Sequence, residues 1–156
     1  MGYFRQTRCT ELSIIDYLTT QINANWTGVT VVKTFNQAAT GTLPIVCVRL
    51  IDNNPFRVEI GSTTLDDRYG LIIDIFAKSD GQRLDLADFI TTTIKEGCVY
   101  YDFSQTSGSP ETLSKTANGR VQFVKFTRNT RIDFGSEVSN MDRYRHVISG
   151  IVRKST

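Results

Sequence analysis

The chain has 156 residues, of which 40% are apolar and 22% charged, with a formal net charge of +2. That length suits one domain with a single hydrophobic core, with no need of disulfides or metal to hold it together. The longest apolar runs, at 45–48 and 71–73, are far too short to span a bilayer, and the opening MGYFRQTRCTELS has charges where a signal peptide needs an apolar stretch, so cytosolic folding is expected.

In chain order, Thr10 is placed to cap a first helix, with Glu11 in its first turn and Ile14, Ile15, Leu18 and Ile22 as its buried stripe. The helix is expected to stop before Trp26-Thr27-Gly28. Residues 29–35 are rich in β-branched side chains and read as a strand, and the small polar residues of 36–44 read as a loop. Residues 45–51 form a strand with apolar residues on both faces, interrupted by Arg49, and Asp52-Asn53-Asn54-Pro55 is a turn signal. Phe56, Val58 and Ile60 alternate with Arg57 and Glu59, as in a half-exposed strand.

The best-defined unit is YGLIIDIFAKSDGQRLDLADFITTTIKEG, residues 69–97. Leu71, Ile73, Ile75 and Ala77 share one face of a strand, and Ile72, Asp74, Phe76 and Lys78 the other. Ser79 stands three residues before Gln82, the spacing of a capping box. Leu86, Ala87, Ile90 and Ile94 then recur at helical spacing, and Gly97 suits a left-handed stop. Beyond it, residues 98–103 read as a strand with Tyr100 and Tyr101 on opposite faces.

Residues 104–119 (SQTSGSPETLSKTANG) read as a long mobile loop, whose one sizeable apolar side chain is Leu113. Strands at 121–127 and 143–153 complete the chain; in the first, Val124 and Phe126 can face inward while Phe123 joins the other face, covered by a helix or another subunit. The sum is a single α+β domain over residues 1–156, a mostly antiparallel sheet of about six strands flanked by two helices, with long loops.

The chemistry-bearing residues are few. No GxGxxG or GxxxxGK[ST] stretch is present to cradle a phosphate. The single histidine, His146, lies beside Arg145, whose charge opposes its protonation. Cys9, Cys47 and Cys98 are odd in number and widely spaced, a pattern that fits neither a disulfide framework nor a zinc site. No catalytic residue, cofactor or metal is expected. Asp66 and Asp67, and the helix acids Asp80, Asp85 and Asp88, read as a solvated acidic surface rather than a cation site.

Arg120, Lys125, Arg128 and Arg131 interleave with Phe123 and Phe126 as in binders of single-stranded nucleic acid. The pI near 8.5 is mild for that role. Charge is also unevenly placed. From Lys115 onward nine Lys/Arg face three Asp/Glu, a balance of +6, whereas the preceding part has nine against thirteen, a balance of −4. Copies of such a chain can associate head to tail, or the fold can bring the two parts together and cancel them locally.

The pattern IIDIFAKSDGQRLDLADFI at 72–90, with DRYRHVISG at 142–150 and the order helix, strands, helix, strands, resembles the tail-terminator (tail-completion) proteins of long-tailed bacteriophages. The resemblance implies a non-enzymatic virion protein, assembled in the bacterial host cytoplasm. It would form a ring, usually a hexamer, on the last ring of the tail tube, stop tube growth and join the tail to the head. Its implied partners are copies of itself, the tail tube protein and a connector or head-completion protein, with DNA only as passing cargo and no membrane. The alternatives are another neck protein (head-completion or connector) and a small nucleic-acid-binding protein. Candidate contact residues are Ser107, Pro110 and Leu113 in the polar segment, the basic Arg120, Lys125, Arg128 and Arg131, and the acidic Asp66, Asp67, Asp85 and Asp88.

Overall fold

The structure, a computed structural model, describes residues 3–33, 41–57, 60–61, 65–105, 113–132 and 144–155. Its elements are α1 (Gln6–Asn25), β1 (Thr30–Val32), β2 (Ile45–Arg57), β3 (Leu65–Phe76), α2 (Asp80–Ile94), β4 (Cys98–Gln105), β5 (Leu113–Ile132) and β6 (Arg145–Ser155). The strands form one sheet in the order β1-β2-β3-β6-β5-β4. Every neighbouring pair is antiparallel except β1–β2, so the fold is α+β with a sheet that is mixed at one edge.

The unit at 69–97 folds as its spacing predicts. Leu71, Ile73 and Ile75 are buried in the main core, while Phe76 joins a smaller cluster on the opposite face with Ile45 and Cys47. Ser79 Oγ accepts from Gln82 N–H at 3.2 Å, and Gln82 Oε1 accepts from Lys78 N–H at 2.8 Å. The reciprocal bond thus reaches one residue further back than in the usual capping box. Leu86, Ala87, Ile90 and Ile94 are the buried side of α2. Gly97 takes φ +76°, and a Cβ there would lie 2.6 Å from Val121 O, so both backbone conformation and space require glycine.

Helix α1 shapes the sheet. It touches β1 and β2 at one edge and β4 and β5 at the other, so the sheet has to curl around it. Bulges between Leu50 and Asp52, Val99 and Tyr101, Phe123 and Lys125, and Phe126 and Arg128 supply the bending. Across the remaining gap, side chains of α1 satisfy backbone groups that a sheet edge would leave open. Ser13 Oγ accepts from Tyr101 N–H at 3.0 Å, and Cys9 Sγ accepts from Phe103 N–H at 3.4 Å. Phe4 N–H donates to Phe103 O at 2.8 Å. On the other side, Glu11 Oε2 accepts from Leu50 N–H at 3.0 Å, beyond the point where the short β1 ends.

Several expectations are corrected. Helix α1 begins at Gln6 after an extended Arg5 that provides no side-chain cap. Thr10, expected as the cap, lies inside the helix and bonds back to Gln6 O at 2.8 Å. Asp52-Asn53-Asn54-Pro55 is not a turn but the middle of β2, paired with Asp67 to Gly70. Pro55 is tolerated because, among the described residues, β2 has no second neighbour there. The strand expected at 29–35 is described only over Thr30–Val32, and residues 34–40 lie outside the described residues, as do Val58 and Glu59.

The largest correction falls on 104–119. Ser104 and Gln105 end β4, Leu113 opens β5, and the pairs Gln105–Leu113, Ser104–Ser114 and Phe103–Lys115 are in register. Strand β5 then runs without a break to Ile132, through the second half of the expected loop and the expected strand together. Its first residues are polar because they are exposed, and the hydrogen-bond ladder orders them without apolar burial. Residues 106–112, with Ser107 and Pro110, lie outside the described residues.

Candidate interaction surface

Strand register assigns each side chain to one of two sheet faces. Tyr69, Ile73 and Ile75 stand opposite Val152, Ile148 and His146 on the face covered by the helices. Gly70, Ile72, Asp74 and Phe76 stand opposite Ile151, Ser149, Val147 and Arg145 on the other face. The two bulges in β5 decide where its side chains fall. Phe123, Phe126, Asn129 and Arg131 pair with Val152, Gly150, Ile148 and His146, so they lie on the helix face. Lys125 and Arg128 pair with Ile151 and Ser149 on the other face, which is helix-free among the described residues.

This placement overturns the simple alternation expected for 121–127. Val124 is the extra residue of a bulge and is exposed, whereas Phe123 and Phe126 share a face with ring centroids 4.3 Å apart. They sit over Gly150, where a Cβ would come within 2.5 Å of the Phe123 ring. The basic and aromatic residues therefore do not form one interleaved stripe. Lys125 and Arg128 point away from the phenylalanines, which separates these two charges from the rings on which a base would stack.

The remaining basic candidates are engaged within the chain. Arg131 Nη1 lies 3.6 Å from Asp80 Oδ1, which also accepts from Arg83 Nε at 3.0 Å. Arg83 Nη1 donates to His146 Nδ1 at 2.6 Å, and the opposite ring nitrogen donates to Asn129 Oδ1. Those partners require a neutral imidazole protonated on Nε2. Burial, and then the Arg83 charge, push the His146 pKa below 6.5. Arg120 Nη2 donates to Glu96 O at 3.2 Å, beside the end of α2. Lys125 and Arg128 are exposed and have no ion pair among the described residues.

Among the acidic candidates, Asp67 Oδ1 accepts from Asn53 Nδ2 at 3.4 Å across the β2–β3 ribbon, and the Asp66 side chain lies outside the described residues. Asp85 and Asp88 are exposed on the outer side of α2, and among the described residues neither has an ion pair. No group of three or more His, Cys, Asp and Glu among the described residues could hold a metal ion. Leu113, at the start of β5, is 50% exposed. The cysteines are buried thiols, and burial pushes Cys98 up to about 12.

One residue of consequence was not among the candidates. Asp74 is completely buried on the helix-free face, where Oδ1 accepts from Arg145 Nη2 at 2.8 Å and Nε at 3.2 Å. Its other oxygen lies 3.8 Å from Arg49 Nη2. A lone aspartate alternating with Ile72 and Phe76 was the signal in the sequence. With Lys115–Asp16 at 2.9 Å and Arg131–Asp80, the Asp74–Arg145 pair ties the basic C-terminal part to the acidic part within one chain. Local cancellation accounts for part of the charge asymmetry.

A groove of about 270 Å³ crosses the helix-free face, lined in part by Ile51, Ile72, Thr127, Ser149 and Ile151. Register places Lys125 and Arg128 beside it. Ile51 is 53% exposed, and Thr127 Oγ1 and Ser149 Oγ are hydrogen-bonded at 3.0 Å. No protein-family model matches this chain, and no curated protein matches it at a significant level.

Proposed function

We propose that this chain is a non-enzymatic structural subunit that closes into a ring at the head-proximal end of a phage tail tube, stops tube growth and joins tail to head. The sequence resemblance at 72–90 and 142–150 motivates the reading. The observation that supports it best is how the chain is spent outside its core. Pro55 to Arg57 pair with Leu65 to Asp67 and, among the described residues, with no third strand, so β2 and β3 continue there as a two-stranded ribbon past the rest of the sheet. The tip of β4 and β5 at Ser104 and Gln105 does the same with Leu113 and Ser114.

Isolated two-stranded ribbons are marginal in water, and a neighbouring surface is the usual source of the missing stability. In a ring, each subunit offers one surface to the copy before it and another to the copy after it, and closure makes the assembly finite where a tube is not. The ribbons then serve as the parts that reach a rigid tube rim. Among the described residues no helix is long and apolar enough to cross a membrane, in keeping with a virion component assembled in the host cytoplasm. Deleting the gene from the phage that carries it should give over-long tails without heads, counted by electron microscopy of lysates. Virions with normal tails would overturn the proposal.

A further inference from the structure

Once the intrachain ion pairs and hydrogen bonds are assigned, four candidate charges have neither among the described residues: Lys125, Arg128, Asp85 and Asp88. They lie on opposite sides of the molecule. Lys125 and Arg128 flank the groove on the helix-free face, with Ile51 half-exposed at the groove wall. Asp85 and Asp88 project from α2 opposite its buried side of Arg83, Leu86, Ala87 and Ile90, and that helix covers the other face of the sheet. Leu84, 47% exposed, lies one turn from Asp88 on the same flank. Farther along, Lys95 and Glu96 carry opposite charges, so the first two turns of the helix set the sign of this surface.

We infer that the outer side of α2 in one copy docks on the helix-free sheet face of the next, with Asp85 and Asp88 against Lys125 and Arg128 and Leu84 in the groove beside Ile51. The inference rests on the ring reading above and names its contact. Complementary sign and an apolar residue on each side are what a specific contact between copies needs. The two surfaces lie on different sides of one subunit, so the contact is head to tail, the kind that gives a ring where the rotation between copies closes and a filament where it does not. Exposed charges at the rim of such a contact are screened within about 8 Å at physiological salt, so the assembly weakens as salt rises.

The test uses charge reversal of the full chain. Asp85→Lys with Asp88→Lys makes one variant, and Lys125→Glu with Arg128→Glu the other. All four side chains are exposed, so thermal unfolding should match wild type in both. In sedimentation velocity at low salt, wild type should form a closed oligomer and each variant alone should be monomeric. Mixed in equal amounts, the two variants should assemble again, because each supplies the surface that the other now complements. A wild-type chain that stays monomeric at every concentration, or variants that oligomerise alone as well as wild type, would overturn the inference. Rings indifferent to charge reversal would leave the tail-terminating role standing, whereas charge-dependent rings with normal tails in the gene deletion would sink that role alone.

Discussion

His146 and Asp74 are the two side chains whose burial makes the clearest demands. His146 stays neutral because it accepts from Arg83, and its folded pKa lies below its ordinary value of 6.5. Below about pH 6.5 the unfolded chain binds a proton that the folded chain refuses, so stability falls as pH drops toward the folded pKa, by at most about 1.4 kcal/mol per pH unit from this group. Urea midpoints at pH 7.5 and 5.5 should therefore differ, and His146→Gln should remove part of the difference. An unchanged slope in the variant would mean that other groups carry it. Asp74→Asn leaves two arginines facing an uncharged amide in a buried site, and should cost about 3 kcal/mol in urea unfolding. A cost under ~1 kcal/mol, the scale of an exposed ion pair, would show that Arg145 and Arg49 are solvated without it.

The elements were legible in proportion to how much each side chain reveals about its own environment. The unit at 69–97 could be read because alternation, cap and helical stripe all occur within one short segment. The polar half of β5 could not, since Ser114, Lys115, Thr116 and Asn118 look like loop residues and are held by backbone pairing to β4. The two bulges in β5 were invisible for the same reason, and they moved Phe126 onto the face of Phe123 and left Lys125 and Arg128 together. Of the candidate surface, the sequence named Lys125, Arg128, Asp85 and Asp88, which have neither ion pair nor hydrogen bond among the described residues, but not which side of the fold holds them. Helix α1 carries the other hidden feature, the sealing of the β4 edge. Ser13→Ala removes the acceptor for Tyr101 N–H and the donor to Cys9 O, and should cost about 1–3 kcal/mol because a buried amide is left unsatisfied. Hydrogen exchange should show faster exchange at Tyr101 in this variant; unchanged protection would mean that another group satisfies the edge.

For the whole molecule, the consequence of a sealed sheet is that association through added strands is blocked along much of β4 and at Leu50, where α1 already satisfies the backbone. In the proposed ring, contacts between copies would therefore fall to the faces and ribbons, where Lys125, Arg128, Asp85 and Asp88 and the two-stranded tips lie. The divided basic residues also give an expectation for DNA: weak binding at low salt that disappears near physiological salt, since few phosphates can be neutralised at once. Micromolar binding at physiological salt, lost on changing Arg120, Lys125 and Arg128 to Ala, would favour a nucleic-acid role instead. Closure into a ring can be seen by negative-stain electron microscopy of the purified protein at low salt. Closed rings of one size with a single rotational symmetry, six-fold as the resemblance implies, are expected; isolated single subunits or open filaments would overturn the ring.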